Sequence, residues 1–362
     1  MDFSGRRKGV VIHIMPAFVS SLLQICLAGL GGLIFTVLHV PAAWLSGAVV
    51  ATILWNLTPW SRPMPLPLVS LALLLSGVSM GAGATPAALD AMARYPGSIA
   101  LLAIGITCIT WSSSLWLMKF GGWKRDDALL ASLPGAMSAV VATAVDRNAD
   151  VKAIVLVQLF RLAVLIMILP SVIVFLGDSP HTSFFVGEGL PVVDIRGFAV
   201  MTFGGWLIGL VFKRLRMAAP ILLGGMAIST ILHATEFTYG VVPPHIATFG
   251  LVLIGVFTGE RFRGITMDMA RKILPVATGT LGVGLILTFG FAYAAAMLAH
   301  VGFADALVAF APGGLEAMMA LAFILGLDPI YVGIHHIARF LGLGFSLPLL
   351  IKWLNRTDRV NT

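Results

Sequence analysis

Apolar stretches of membrane-spanning length recur along the chain at 18–40, 42–58, 66–84, 96–118 and 151–177, and again at 195–213, 219–235, 244–262, 273–299 and 329–352. Each set also holds one interrupted apolar stretch, 127–147 in the first and 304–325 in the second, split by proline and glycine. Segments of about 20 apolar residues match a hydrocarbon core about 30 Å thick. Backbone groups at that depth must be satisfied within helices or a closed barrel, and long apolar runs without period-two alternation rule out the barrel. The pattern predicts an all-α polytopic membrane protein.

The two sets align at a constant offset of 178 residues. Ser46-Gly47 stands against Gly224-Gly225, Thr52-Ile53-Leu54 against Thr230-Ile231-Leu232, Gly77 and Gly81 against Gly255 and Gly259, and Pro170 against Pro348. We read an internal duplication: residues 1–177 as a first repeat, 178–194 as an acidic linker (Asp178, Glu188, Asp194), and 195–362 as a second repeat. Such symmetry is common in secondary transporters. If the interrupted segments enter and leave on one side, each repeat crosses five times and the second copy is inverted. Of the 23 lysines and arginines, 19 then share the cytoplasmic side with both termini, Arg94 and Arg196 lie outside, and Arg161 and Arg339 remain within the membrane. Six full crossings per repeat would make the copies parallel and mix the charges. The inverted arrangement is the expectation.

Composition agrees: 59% of residues are hydrophobic and 11% charged, with a mean hydropathy of +0.99. The net charge of +7 comes from residues scattered through short loops, so positive-inside bias accounts for it without nucleic acid. Cys26 and Cys108 fall in apolar spans and are expected to pack in the core rather than to bridge. Trp55, Trp60 and Trp353 suit an interfacial belt. The basic start leads into a first span without a cleavage signature, expected to be uncleaved. No phosphate-binding loop, zinc-protease helix or nucleophile elbow is present, and adjacent histidines point about 100° apart on a helix, a poor chelating pair. An enzyme, a cofactor or a resident metal is not expected.

The chemistry concentrates in two stretches, LPGAMSAVVATAVDRNADVKAIVLVQLFR at 133–161 and APGGLEAMMALAFILGLDPIYVGIHHIAR at 311–339. Pro134 pairs with Pro312, Gly135 with Gly313, Asp150 with Asp328, Gln158 with His336 and Arg161 with Arg339. Proline next to glycine breaks a helix in mid-membrane, and the free amides of the helix that restarts form a positive end suited to an anion. A proline kink used only for packing is the alternative. Arg161 and Arg339 each stand ten residues into a span, where a charge costs at least roughly 2.5–3.5 kcal/mol without a partner. Either they bind the substrate's anionic group, or Arg339 pairs with Glu316 while Arg161 bonds backbone carbonyls at the first break. Glu316 has only Ser138 opposite it, and it serves as a proton-coupling carboxylate or as the Arg339 counter-ion. His335 and His336 both stand one turn from Arg339. Asp150 and Asp328 read as helix caps, and the paired glycines as close helix contacts that would also serve a homodimer.

The motifs APGGLEAM and LPGAMSAV, each followed by a span containing HHIAR or QLFR, resemble the AbrB membrane-protein family over nearly the whole chain. Its members carry two AbrB duplication domains and are labelled in places as ammonia monooxygenases or regulators of gene expression. The chain has neither a copper-ligand constellation nor a DNA-binding element to support those labels. The resemblance implies a bacterial inner-membrane protein with inverted repeats and broken helices, similar to the cation/proton antiporter and bile-acid symporter architecture.

The expectation is a secondary transporter of a small organic anion, working by alternating access at a midplane site. Pro134, Gly135, Ser138, Gln158 and Arg161 would bind substrate from the first repeat, and Pro312, Gly313, Gly314, Glu316, His335, His336 and Arg339 from the second. Glu316, His335 and His336 would couple protons. A membrane sensor acting on gene expression through a partner is the alternative.

Overall fold

Prolines set where many of the helices begin, because proline at a first helical position sacrifices an amide that has no intrahelical partner. The computed structural model describes residues 17–82, 95–135, 137–176, 191–217 and 219–360, without the side chains of Ser138 and of several residues beyond 343. The first half contains α1 (Ala17–Val37), α2 (Ala43–Asn56), α3 (Leu66–Gly81), α4 (Tyr95–Gly121), α5 (Arg125–Ser132), α6 (Met137–Asp146) and α7 (Val151–Phe175). The second contains α8 (Ile195–Arg214), α9 (Pro220–Ala234), α10 (Pro244–Gly259), α11 (Met267–Ala299), α12 (Phe303–Phe310), α13 (Leu315–Ile324) and α14 (Pro329–Val360), with one 3₁₀ turn, Glu260–Phe262, after α10. Among the described residues all regular structure is helical, apart from one isolated bridge between Val192 and Val241.

Helix limits recur at the 178-residue offset. α1 and α8, α5 and α12, α6 and α13, and α7 and α14 all start 178 residues apart, as do α3 and α10. Each interrupted apolar stretch resolves into two short helices on either side of its break. At 1.5 Å per residue, α6 and α13 reach about 15 Å, half of a hydrocarbon core.

Five helices are long and apolar enough to cross a membrane among the described residues: Phe18–Val37, Tyr95–Gly121, Val151–Phe175, Ile195–Arg214 and Met267–Ala299. Four expected spans are shorter than the apolar pattern suggests. α2, α3, α9 and α10 have 14 to 16 residues each, or about 21–24 Å. Pro65 and Pro243 precede α3 and α10, and Pro220 opens α9. Hydropathy runs on into the flanking loops, whereas proline fixes where the helix can begin.

The helices pack in two groups that cut across the sequence halves. α1, α2 and α3 pack with α8, α9 and α10: α2 lies on α10 and α9 on α3, and α3 meets α10. The second group joins α4–α7 with α11–α14: α4 lies on α11, α7 on α5 and α11, and α14 on α12, α13 and α4. The cross-pairs α2–α10 and α7–α11 have their counterparts in α9–α3 and α14–α4. Glycines make the first group possible. A Cβ on Gly77 or Gly81 would collide with the Leu222 and Met226 carbonyls of α9, and one on Gly255 or Gly259 with Ala48 and Thr52 of α2. Gly205 and Gly209 admit α9 against α8 in the same way.

Three expectations change on contact with the structure. Cys26 is exposed on α1 and Cys108 half-buried, so neither is a core residue. Trp55 is 8% exposed, buried under the first group instead of belting an interface, while Trp60 is 48% exposed. Asp194 is a helix cap that accepts the Gly197 amide at 3.0 Å, and residues 178–190 of the acidic linker lie outside the described residues.

Candidate site at the two helix breaks

Each break ends one short helix and starts another. α5 runs out at Ser132 and α12 at Phe310, leaving carbonyls that no helical amide can reach. The mid-span side chains of α7 and α14 take up these carbonyls. Arg161 donates to the Ser132 carbonyl at 3.3 Å and to the Leu133 carbonyl at 3.1 Å. Arg339 donates to the Ala311 and Gly313 carbonyls, each at 2.7 Å. One turn earlier, Gln158 donates to the Leu130 carbonyl at 3.0 Å, and His336 donates through Nε2 to the carbonyl of Val308, the 178-offset equivalent of Leu130, at 3.2 Å. A cation at a helix C-terminus is worth up to about 2 kcal/mol when partly buried. Each hydrogen bond from a charged donor adds about 1.5–3 kcal/mol. Together these offset the roughly 2.5–3.5 kcal/mol insertion cost of an arginine.

Of the alternative in which Arg161 bonds carbonyls at the first break and Arg339 pairs with Glu316, the first part is formed and the second is not. Glu316 instead meets Arg261 of the 3₁₀ turn at 3.5 Å, with the two side chains 18% and 25% exposed. Arg261 also stacks on the Phe257 ring at 4.7 Å. The remaining Arg339 contact is to His336, whose Nδ1 accepts from the guanidinium. With Nε2–H on the Val308 carbonyl, that ring is a neutral tautomer with both nitrogens occupied.

His335 turns away from Arg339, although it too stands one helical turn from it. Its Nδ1 donates to the Tyr331 carbonyl at 2.8 Å, and its Nε2 lies 2.8 Å from the Ser98 hydroxyl of α4. It is fully buried among Tyr331, Phe310 and Tyr95, with ring centroids at 4.1, 5.9 and 6.0 Å. The Tyr95 hydroxyl donates to Asp328 at 3.3 Å.

The breaks face each other's repeat. Gly135 adopts φ +98°, and a methyl group there would lie 3.8 Å from Nε of Arg339. A methyl group on Gly314 would lie 3.5 Å from Arg261, 3.6 Å from Glu316 and 3.8 Å from Leu162, next to Arg161. Gly314 is the N-cap of α13 and offers no side chain to the first-turn amides. Pro134 and Pro312 are buried within these turns. Ser138 lies in the first turn of α6, its side chain outside the described residues. Asp150 and Asp328 are caps, accepting from Ala153 at 3.1 Å and from Ile330 and Tyr331 at 2.8 and 3.1 Å.

Sequence reasoning passed over Arg261, Ser98, Ser132 and the tyrosines. One signal was present for the first. Arg261 and Glu316 both lack a charged counterpart, standing opposite Gly83 and Ser138, and two unmatched opposite charges in one repeat suggest a pair. Ser98 offered no such signal, because its contact to His335 spans 237 positions. Among the described residues no cluster of histidine, cysteine or carboxylate side chains could hold a metal.

These features define a polytopic helical membrane protein built on matched helix breaks, each closed by a buried arginine. The chain belongs to the AbrB family, whose model, described as "Transition state regulatory protein AbrB", matches residues 44–355. It is similar to the Escherichia coli (strain K12) protein named "Putative regulator AbrB", 24% identical over 293 residues covering 80% of this chain and 83% of that one. A Bacillus subtilis (strain 168) relative, "Uncharacterized protein YhjN", is 20% identical over 356 residues, covering 91% of this chain and 92% of its own.

Proposed function

We propose that the chain is a secondary active transporter of a small organic anion, with alternating access around the two breaks. The observation that carries this reading is the reciprocal approach of each break to the long helix of the other repeat, Gly135 to Arg339 and Gly314 to Leu162. Half-helices ending at mid-depth, with uncapped N-terminal amides and a buried arginine beside them, fit an anion site lined by irregular backbone. The two repeats are inverted in the membrane on this reading, with both termini in the cytoplasm of a bacterial cell and the breaks near the bilayer midplane.

The two packing groups are the bodies that would move. α13 touches α3 and α10 of the first group, and the Glu316–Arg261 pair joins the groups at the second break. That pair acts as a latch, favouring the state in which the groups meet here.

Of the three proposed coupling residues, His335 is best placed to carry the proton. His336 is closed to protonation because Nδ1 accepts from Arg339, and Glu316 is engaged with Arg261. Ser98 has one hydroxyl proton and two close acceptors, His335 Nε2 at 2.8 Å and the Tyr95 carbonyl at 2.9 Å. Neutral His335 takes that proton. Protonated His335 donates from Nε2 to the Ser98 oxygen, and the hydroxyl swings to the Tyr95 carbonyl, so every polar group stays paired in both states. The groups facing the ring are Tyr95 and Ser98 from α4, Phe310 from α12, and Tyr331 with the neighbouring Arg339 from α14.

Uptake of radiolabelled small carboxylates, phosphonates and sulfonates into proteoliposomes under an imposed proton gradient tests the reading. Gradient-driven accumulation of one anion class, lost in Arg161→Gln, is expected. Its absence for every class sinks it.

A second reading rests on the name of the Escherichia coli relative. The chain would be a membrane sensor that uses the same pocket and signals through a partner. It predicts anion binding without counterflow.

A further inference from the structure

Repeat symmetry exposes a difference at the breaks that the shared motif hides. Arg339 donates from NH1 to one carbonyl and from NH2 to a second carbonyl and to His336. Arg161 spends NH1 and NH2 on two carbonyls, but Gln158, standing where the second repeat has His336, takes no proton from it. The Nε of Arg161 is buried without a hydrogen-bond partner, and so is the hydroxyl of Ser132, whose carbonyl the same guanidinium holds. The two residues are 6% and 0% exposed. At the position equivalent to Ser132 the second repeat has Phe310, which fills its space against His335. An unpaired buried donor costs roughly 1–3 kcal/mol, more if charged, and here two stand at one helix break within a single arginine's reach.

We infer that Arg161 Nε and the Ser132 hydroxyl form an oxyanion subsite: they receive the carboxylate-sized head of the ligand, while Arg339 is a fixed clamp that binds no ligand. The proposal rests on the reading of the breaks as an anion site, and it assigns that role to one break of the two. One N–H from a planar cation and one O–H suit the two oxygens of a carboxylate or two oxygens of a phosphonate or sulfonate. A cationic or neutral polar ligand would leave these donors unmet. The head would reach the site beside Leu162, where the amides of the α13 N-terminus add a positive end from the other repeat.

The test is binding by the full-length, detergent-purified protein, read by isothermal titration and thermal shift with propionate, methylphosphonate and methanesulfonate, and with tetramethylammonium as the cationic control. At least one oxyanion is expected to bind and raise the melting temperature. Ser132→Ala should weaken it roughly tenfold, the loss of one charge-assisted hydrogen bond, without lowering the melting temperature of the free protein. Gln158→His, which gives Arg161 NH2 the acceptor that Arg339 NH2 has and leaves Nε unpaired, should change it less than about twofold; Arg161→Lys should abolish it. Wild-type affinity in Ser132→Ala overturns the assignment even where Arg161→Lys fails to fold. Oxyanion binding with this mutant pattern but without proteoliposome uptake overturns the transporter and keeps the subsite. Uptake of a cation with no oxyanion binding overturns the subsite and keeps the transporter.

Discussion

The first break and the second are built from the same parts and differ in what those parts leave unsatisfied. Both end an eight-residue helix, both hold its terminal carbonyls with an arginine one span away, and both receive a second hydrogen bond from the residue three positions before that arginine. Even the outer turns match, with Asp127 accepting the Asp150 amide at 3.3 Å and Asp305 the Asp328 amide at 2.6 Å. What differs is chemistry. His335 on α14 and its partner Ser98 on α4 stand opposite Val157 and Val276, which share a buried apolar cluster. Glu316 and Arg261 stand opposite Ser138 and Gly83. On the proposed reading one scaffold is used twice with different roles, an anion head received at the first break and proton handling and the latch kept at the second.

Substitutions at the clamps should break that comparison most severely. Arg339→Leu removes three hydrogen bonds and should lower stability by about 4 kcal/mol, against about 2–3 kcal/mol for Arg161→Leu. Denaturant titration of the purified protein measures both, and equal losses would mean the two clamps are not different. Gly135→Ala comes next, at about 1–2 kcal/mol, because φ +98° is hostile to a Cβ. Gly314→Ala should cost less than about 0.5 kcal/mol, since its φ is −77° and no atom would lie within 3.5 Å.

Converting the second half to the first is the sharper change. His335→Val alone removes the ring's bonds to the Tyr331 carbonyl and to Ser98, whose hydroxyl keeps the Tyr95 carbonyl, and should cost about 1–2 kcal/mol. Adding Ser98→Val, which copies Val157 and Val276, should change stability by less than about 1 kcal/mol further, since the hydroxyl's remaining bond is to the Tyr95 carbonyl. In the double variant the pH dependence of uptake should disappear while uptake itself survives. The smallest effect on stability is expected of Glu316→Gln. A partly exposed pair is worth less than about 1 kcal/mol, and salt should shrink that further. Its mark should be a changed uptake rate, because the pair joins the two groups.

Much of the scaffold was legible in the chain. Proline-glycine pairs marked both breaks, the constant offset paired the halves, and the depth of Arg161 and Arg339 in apolar runs pointed to buried charges. The hydrogen bonds were harder to read. An arginine at mid-depth announces that it needs a partner but not which one; the sequence offered carbonyls at the first break to Arg161, which took them, and Glu316 to Arg339, whereas the Glu316 charge went to Arg261. The division into two packing groups was equally hidden, since α2 joins α10 and α9 joins α3 across long stretches of chain. Helix lengths in α2, α3, α9 and α10 were misjudged because hydropathy continues past the prolines that limit the helix.

On the proposed reading the breaks form one site that opens in turn to each side of the membrane. Gly314 can be replaced by cysteine with little strain, in a chain where Cys26 and Cys108 are alanine, and probed with a membrane-impermeant thiol reagent on inside-out and right-side-out vesicles. Labelling from both sides, and protection from both by the same small organic anion, is expected. Labelling confined to one side, unaffected by any anion, would contradict it.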